Sequence, residues 1–326
     1  MRYFVRLPLL ALLATSLTAA VSPSSAAAQS APAGESPLTF PSSAFSGKRS
    51  PEIVEAQVLL DRARFSPGVI DGYGGGNTRR AIEAYQRANS MTVTGRVDAE
   101  LLGALRSTSG RDVFTRYTIT ESDVAGPFIA VPDGMEAMAE LETLAYASPA
   151  EALGERFHMA QAFLQALNPQ ADFGKAGTEI VVVAARKKEL DAAVARIEVD
   201  GANATLRAFA EDGRLLATFP ATVGSADFPS PSGEMTVRAL APEPKYYFSP
   251  EGRDWGPDRK LTIAAGPNNP VGSTWIDLSK DGYGIHGTPD PRLIGKTASH
   301  GCVRLTNWDA RALGQAVKPG TVVEFV

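Results

Sequence analysis

The 326-residue chain contains little cysteine and little histidine: one cysteine, Cys302, and three histidines. A single cysteine excludes an internal disulfide. In an oxidising compartment, a lone thiol is a liability unless it pairs with another chain or reacts for a purpose. Basic residues are also not in excess, since 32 Lys and Arg stand against 36 Asp and Glu, a formal net charge of −4. This balance argues against nucleic acid or an anionic membrane surface as the main partner.

The first 28 residues have the order of a secretory signal peptide. Arg2 and Arg6 flank a short apolar run, and Ala26-Ala27-Ala28 fits the small-residue rule for cleavage. The alternative is a membrane anchor, but the apolar run is short and is interrupted by proline, threonine and serine. No later segment is long and apolar enough to span a membrane. We therefore predict an exported protein with a signal peptide over 1–28 and no stable membrane anchor.

The composition changes near residue 50. Residues 29–50 are rich in Ser, Pro, Ala and Gly, which predicts a flexible linker without a core. From there on, Ser50 is a candidate helix N-cap and Pro51 occupies the first helical position. Apolar residues then recur at helical spacing in two segments separated by a glycine-rich turn, and a short third helix follows. A small three-helix domain is therefore predicted over 51–106.

This helical segment resembles the peptidoglycan-binding domain found on many cell-wall hydrolases. The matching positions are Gln57-x-x-Leu60, Asp71-Gly72, Thr78-x-x-Ala81-Ile82-x-x-Tyr85-Gln86 and Thr94-Gly95-x-Val97-Asp98. The resemblance implies binding of wall glycan or peptide. The alternative is a helical packing module that binds no ligand.

Residues 107–190 give a weaker pattern. Ser148 can cap a helix, a second short helix ends at an Asn-Pro pair, and a β-branched run then predicts a buried strand. This order resembles a degenerate LysM module, a small α/β unit that binds wall glycan. His158 has no acid or cysteine partner at ligand spacing, which indicates a surface or packing histidine.

From residue 194 the pattern is that of strands. Period-two alternation surrounds an Asp212-Gly213 turn, which is a strong hairpin signal. Short strands punctuated by Pro, Gly and Asn follow, and the only plausible helix here is Thr306 to Val317. A mostly-β domain is predicted over 194–326, which makes the whole chain multidomain α+β.

The chemistry is concentrated in "GYGIHGTPDPRLIGKTASHGCVRL", residues 282–305. His286-Gly287, a gap, and then Ser299-His300-Gly301-Cys302-Val303-Arg304-Leu305 closely resemble the signature of the L,D-transpeptidase catalytic domain, the YkuD-like family. The resemblance implies a thioester at Cys302, with His286 as the base and the carbonyl of Gly287 orienting its ring. It also places the oxyanion hole at the N–H groups of Gly301 and Cys302. No metal or organic cofactor is implied.

The residue types fit this chemistry, although alternatives remain open. The thiolate is the nucleophile, and a neighbouring imidazole can accept the thiol proton. Arg304 can fork onto a carboxylate of a stem peptide or form a structural ion pair. His300 is the alternative base, or its ring shapes the pocket or binds substrate. Ser299 is assigned to substrate binding together with Arg304, and its hydroxyl is better suited to local hydrogen bonding than to attack. A zinc site formed by His286, His300 and Cys302 is a further alternative, because these are zinc ligand types.

The resemblance implies a periplasmic enzyme that acts on peptidoglycan stem tetrapeptides and expels the terminal D-alanine. The acyl group then passes to an amine of a neighbouring stem or, in some relatives, of an outer-membrane lipoprotein. Water as the acceptor gives an L,D-carboxypeptidase, and a vestigial domain gives a non-catalytic wall-binding scaffold. The Pro/Gly-rich stretch 242–260 is a candidate lid over the site.

Overall fold

The computed structural model describes residues 38, 40–186, 189–224, 230–253 and 255–326. The predicted signal peptide, 1–28, lies outside these residues, as does the first part of the predicted linker. None of the helices in the described ranges is both long enough and apolar enough to cross a membrane.

Three helices follow residue 50, as the apolar spacing predicts. They are α1 (Pro51–Arg62), α2 (Gly76–Ala88) and α3 (Ala99–Ser109). The Oγ of Ser50 accepts from the N–H of Ile53 at 3.4 Å, so Ser50 caps α1 as predicted. A core that includes Leu59, Leu60 and Ile82 joins the three helices.

Residues 40–50 differ from the flexible linker predicted for 29–50. Ser42–Phe45 form a 3₁₀ turn in which Ala44 is fully buried. The ring of Phe40 lies 4.8 Å from that of Phe114, and the ring of Phe45 lies 6.0 Å from that of Phe163. Two aromatic side chains therefore anchor a stretch whose Ser/Pro composition indicated no core.

The middle segment is a strand, four short helices and a second strand. They are β1 (Phe114–Thr118), α4 (Glu121–Val124), α5 (Met135–Ala139), α6 (Pro149–Arg156), α7 (Gln161–Leu167) and β2 (Glu179–Val183). Ser148 caps α6 by accepting from the N–H of Glu151 at 3.1 Å, and β2 is buried, both as predicted. β1, which the sequence analysis did not identify, pairs antiparallel with β2. The LysM resemblance stays a prediction.

Helix α1 belongs to two cores at once. Its Leu59 and Leu60 pack with the other N-terminal helices, whereas Val54 and Val58 pack into the core of the middle segment. Helix α1 thus joins the N-terminal helices to the middle segment, and both lie in the compact unit Leu38–Val326.

The described residues of the C-terminal part form an eight-stranded sheet, a separate pair of short strands and one α-helix. In chain order the elements are β3 (Arg196–Asp200), β4 (Thr205–Phe209), β5 (Leu215–Pro220), β6 (Gly233–Pro242), β7 (Tyr246–Phe248), β8 (Leu261–Ile263), β9 (Thr274–Leu278), β10 (Gly284–His286), β11 (Val303–Arg304), α8 (Asn307–Ala316) and β12 (Val322–Phe325). The strand order is β11-β10-β9-β6-β12-β3-β4-β5, while β7 and β8 form a separate pair. The mixed α+β class is confirmed.

Two local predictions in this domain are confirmed by the structure. β4 and β5 form an antiparallel hairpin at Asp212 and Gly213, with Gly213 at a φ of +81° that favours glycine. The predicted helix from Thr306 is α8, and the Thr306 hydroxyl caps it by accepting from the N–H of Asp309 at 3.2 Å.

Candidate active site

The two halves of the catalytic motif lie on neighbouring strands. β10 and β11 are parallel, with Ile285 opposite Val303 and His286 opposite Arg304. The N–H of Leu305 donates to the carbonyl of His286 at 2.8 Å and fixes this register. Cys302, the residue before β11, is therefore held beside the strand that carries His286.

Ser299 fastens the turn that leads into Cys302. Its hydroxyl donates to the carbonyl of Cys302 at 2.5 Å and accepts from the N–H of Gly301 at 3.1 Å. The N–H of Ser299 itself donates to the carbonyl of Val223 at 2.8 Å. Gly301 has a φ of +113°, which side-chain-bearing residues rarely adopt. Ser299 is thus a local hydrogen-bonding residue, and its hydroxyl is engaged within its own turn.

This turn changes what was expected of the oxyanion hole. The sequence analysis assigned the N–H groups of both Gly301 and Cys302 to it, but the Gly301 N–H already donates to the Ser299 hydroxyl. Across the described ranges, no acceptor lies at the N–H of Cys302. The Cys302 N–H is therefore the donor available to a substrate carbonyl, and the Gly301 N–H must first leave Ser299.

The thiol of Cys302 is half-buried. Its sulfur lies 3.5 Å from the carbonyl oxygen of Gly282. Burial raises the pKa of Cys302, and the N–H of Gly284 and the charges of Arg304 and Arg253 oppose this only in part. The free thiol is therefore protonated at neutral pH, and a base would have to take its proton before the sulfur could act as a nucleophile.

His286 is enclosed and neutral. Its Nδ1 lies 2.7 Å from the carbonyl of Gly287, and its ring stacks on Trp275 at a centroid distance of 5.4 Å. Burial, together with the charge of the nearby Arg304, lowers the pKa of His286 to about 4, against the opposing effect of the backbone carbonyls of Gly287 and Val271. The ring is thus unprotonated at neutral pH and is able to accept a proton.

His300, the alternative base, lies in different surroundings. Its exposed ring stacks on Trp255 with centroids 4.1 Å apart. Trp255 belongs to the 242–260 stretch, and Arg253 lies over the rings of both Trp255 and Phe248 at 5.5 Å. The candidate lid thus contacts the histidine that immediately precedes the Gly301-Cys302 turn.

Arg304 is a half-buried cation close to the thiol. Burial lowers the pKa of Arg304, and the neighbouring Cys302 and Tyr246 oppose this. Among the described residues, no carboxylate forms an ion pair with its guanidinium. A structural ion pair of Arg304 therefore finds no carboxylate in that part of the chain. The guanidinium can still bind the carboxylate of a ligand.

No metal centre forms from the side chains that the structure describes. Within those ranges, no group of three or more His, Cys, Asp or Glu residues is placed to hold an ion. The zinc alternative required His286, His300 and Cys302 to converge, and they form no such group.

Sequence reasoning missed two polar residues behind His286. Asn307 contacts the peptide that follows the histidine, and Glu155 of α6 contacts Asn307 from 152 residues away in the chain. No local motif brings such distant residues together, although Asn307 stands in the first turn of a helix that directly follows the catalytic motif.

Comparison with known proteins places these features in a family. Residues 195–325 match the L,D-transpeptidase catalytic domain, YkuD, and residues 49–105 match a putative peptidoglycan binding domain. The chain is 35% identical over 167 residues to a putative L,D-transpeptidase YkuD of Bacillus licheniformis, covering 51% of this chain and 85% of that protein. A second YkuD, from Bacillus subtilis, is 33% identical over 110 residues, which is 34% of this chain and about half, 53%, of that protein.

Among solved structures, L,D-transpeptidase 3 from Mycobacterium tuberculosis is similar at 18% identity and a TM-score of 0.34, covering 46% of this chain and 74% of that chain. The match to the first Bacillus protein extends over most of that relative's length. The chain belongs to the L,D-transpeptidase family, and it carries the catalytic domain of that family behind a peptidoglycan-binding domain.

Proposed function

We propose that Cys302 is the nucleophile of a periplasmic L,D-transpeptidase that acts on the tetrapeptide stems of peptidoglycan. The sulfur attacks the carbonyl carbon of the L-centre of diaminopimelate while Nε2 of His286 takes the thiol proton. The C–N bond to the terminal D-alanine then breaks, and the departing amine receives that proton. A thioester at Cys302 and free D-alanine remain.

The second half of the reaction regenerates the thiol. An acceptor amine attacks the thioester carbonyl, its proton passes to His286, and the C–S bond breaks to return the proton to sulfur. The acceptor is an amine of a neighbouring stem, which forms a crosslink, or an amine of a lipoprotein. Water in its place yields a trimmed tripeptide.

The observation that carries the proposal is the parallel pairing of β10 with β11. It holds a neutral, enclosed His286 beside the strand that Cys302 precedes, with Nδ1 of the ring committed to the Gly287 carbonyl. A histidine that donates from Nδ1 leaves Nε2 as the proton acceptor. Since the thiol is protonated and the imidazole is neutral at rest, the proton moves during attack, with no prior ion pair.

Two further observations support the assignment of substrate-binding groups. Arg304 lies close enough to Cys302 to affect its pKa, which suits a ligand for a stem-peptide carboxylate. The N–H of Cys302, which has no acceptor among the described residues, supports its use as an oxyanion donor. Each such donor typically lowers the barrier by about 3 kcal/mol.

Intact-mass measurement after incubation with a stem tetrapeptide tests the proposal. We expect the wild-type mass to rise by that of the acyl group, and Cys302→Ala to stay unmodified. Because Cys302 is the only cysteine, prior alkylation with iodoacetamide is a single-site control and is expected to block the adduct. An adduct on Cys302→Ala, or none on the wild type, contradicts the proposal.

Products released from purified sacculi identify the acceptor. Crosslinked dimers that depend on Cys302 support transpeptidation, whereas trimmed tripeptides alone indicate carboxypeptidation. Binding to sacculi without turnover of any kind indicates a scaffold.

The N-terminal part is proposed to hold the enzyme on the wall, with a peptidoglycan-binding domain over 51–106, a LysM-like segment over 107–190 and the catalytic domain over 194–326. Support comes from the two glutamines of the helical domain, which clamp its two glycine turns. Gln57 accepts from the N–H of Gly72 at 2.9 Å, and Gln86 accepts from that of Gly95 at 3.0 Å. Sedimentation with sacculi by Cys302→Ala is expected, and loss of sedimentation would contradict wall binding by these segments.

A further inference from the structure

The amide of Asn307 makes four hydrogen bonds at the rear of the site. Its Oδ1 accepts from the N–H groups of Ser273 and Thr288, both at 3.1 Å. Its Nδ2 donates to the carbonyl of Pro267 at 3.1 Å and to Oε1 of Glu155 at 2.7 Å. Two donors and two acceptor sites are all that such an amide has, so its orientation is fully determined.

The space around this amide is closed by two glycines. A Cβ at either Gly272 or Gly287 would lie 2.1 Å from Oδ1 of Asn307, far inside van der Waals contact. Gly272 also has a φ of +63°. Asn307 is therefore wedged between two backbone segments that have no side chains at the point of contact.

One of those segments contains the peptide that orients His286. The carbonyl of Gly287 lies at hydrogen-bond distance from Nδ1 of His286, and the N–H of the same peptide unit, on Thr288, donates to Asn307. A peptide unit is planar, with its C=O and N–H pointing in opposite directions. Rotation of the Gly287 carbonyl away from His286 would therefore break the bond to Asn307.

Glu155 holds the other side of Asn307. It lies in α6 of the middle segment, and its second oxygen, Oε2, accepts from the Tyr146 hydroxyl at 2.7 Å. A continuous path of hydrogen bonds thus runs from Tyr146 through Glu155 and Asn307 to the peptide behind His286. Tyr146 and Glu155 belong to the middle segment, and only Asn307 and the Gly287–Thr288 peptide belong to the catalytic domain.

We infer that Asn307 is a positioning residue for His286, that Glu155 holds it in place, and that the middle segment thereby completes the active site. The inference rests on the proposed role of His286 as the base. Asn307 and Glu155 act through the Gly287–Thr288 peptide and touch no reacting atom in this assignment.

The test uses the full chain, with Asn307→Ala compared with Asn268→Ala as a matched control. Asn268 is also buried and also donates to a carboxylate of α6, Glu151, at 3.0 Å, but it does not bond to the Thr288 peptide. We expect Asn307→Ala to lower the first-order rate of Cys302 acylation by about 10- to 100-fold with KM within about twofold, because small misplacements of catalytic groups cost this much. Asn268→Ala should stay within about threefold of the wild type, and Glu155→Gln should fall between the two.

A spectroscopic measurement separates positioning from general loss of structure. The chain has three histidines, so ¹⁵N-histidine labelling gives three ring spin systems, and that of His286 is identified by its loss in His286→Gln. The wild type is expected to show the tautomer protonated at Nδ1, and Asn307→Ala a mixture of tautomers. If Asn307→Ala does not fold, Asn307→Ser, which keeps an acceptor for the Thr288 N–H, replaces it with the same expectation at smaller amplitude.

An unchanged His286 tautomer in the Asn307 variants overturns the inference, as does an equal loss of rate in Asn268→Ala. Failure of the proposed function gives a different result. In that case His286→Gln acylates at the wild-type rate, while the tautomer measurement still reports whether Asn307 positions the ring.

Discussion

Two buried histidines of this chain have similar surroundings and opposite chemistry. His158 is 7% exposed and His286 is 3% exposed, and each ring stacks on a tryptophan, at 5.1 Å and 5.4 Å between centroids. The difference is the partner of Nδ1. In His158 it is the carboxylate of Asp61, with both oxygens at 3.1 Å, and in His286 it is a backbone carbonyl at 2.7 Å.

The partner decides what each histidine can do. Burial alone would raise the pKa of Asp61, but the charges of His158 and Arg186 hold that pKa well below its usual range. Asp61 therefore stays ionised and ties His158 into a charged network. None of the described residues offers His286 a carboxylate, so burial leaves its ring neutral and available as a proton acceptor.

The largest expected effect is a difference between the two histidines in the rate of Cys302 acylation. His286→Gln should lower the rate of Cys302 acylation by about 10²- to 10⁴-fold, because a positioned general base typically contributes that much. His158→Gln should leave the rate per folded molecule within about threefold. Quenched time courses analysed by intact mass measure both acylation rates. Equal losses of rate in the two variants would show that the two histidines do not differ in their role.

The second effect concerns the contribution of the carboxylate partner of His158 to stability. Asp61→Asn should lower the free energy of unfolding by up to about 3–5 kcal/mol, since it removes the anion that His158 and Arg186 share, although Arg186 keeps Asp309 at 2.7 Å. Urea unfolding measures the change. The control is Asp191→Asn, which removes an exposed pair with Arg214 and should cost at most about 1 kcal/mol. A loss of similar size in both variants would show that the buried network adds little.

The same contrast exists between two carboxylates. Burial raises the pKa of Glu155 to about 7, although hydrogen bonds from Tyr146 and Asn307 and the charge of Arg311 oppose the rise and Glu151 supports it. A carboxyl group with a raised pKa binds more protons when folded, so its contribution to stability falls as pH rises from about 4.5 to about 7. Asp61 has a lowered pKa, so its contribution is lost only as pH falls below about 4.

Glu155→Gln should therefore remove the decrease in the free energy of unfolding that this group causes as pH rises. The free energy of unfolding of the wild type relative to this variant should decrease by up to about 3 kcal/mol between pH 4.5 and 7. Urea titrations at several pH values in this range measure it. A difference that is independent of pH would mean that Glu155 has an ordinary pKa.

The smallest effect concerns the third histidine. His300 stacks on Trp255, and aromatic pairs of this kind contribute about 0.5–1.5 kcal/mol. His300→Gln should therefore change kcat/KM by no more than about tenfold and should leave the pH dependence of acylation unchanged. Loss of the acidic limb of that pH profile in His300→Gln would make His300 the base, because a general base is active only above its own pKa.

Local patterns predicted most of the fold because their causes lie within a few residues. Ser50 and Ser148 cap helices whose first turns immediately follow them, and Asp212-Gly213 turns a hairpin between adjacent strands. The catalytic motif likewise places His286 and Cys302 within 16 residues of each other.

What the sequence did not reveal depends on distant partners. Asp61 meets His158 from 97 residues away, so a histidine whose surrounding sequence indicated no acidic partner has one in space. The 3₁₀ turn at 42–45 forms because Phe40 and Phe45 find Phe114 and Phe163, which composition alone cannot indicate. The Gly301 N–H was assigned to the oxyanion hole from the motif, and only the folded turn brings the Ser299 hydroxyl onto it.

The first turn of α8 connects the catalytic domain to the segments that precede it. Three consecutive side chains each reach outside the catalytic sheet: Asn307 to Glu155, Trp308 to the ring of His158, and Asp309 to Ser66 and Arg186. A fragment cut at residue 194 would expose an indole and leave a carboxylate and an amide without these partners. The catalytic domain of this chain therefore shares a buried interface with the segments before it, and we expect the isolated domain to be less stable than the full chain.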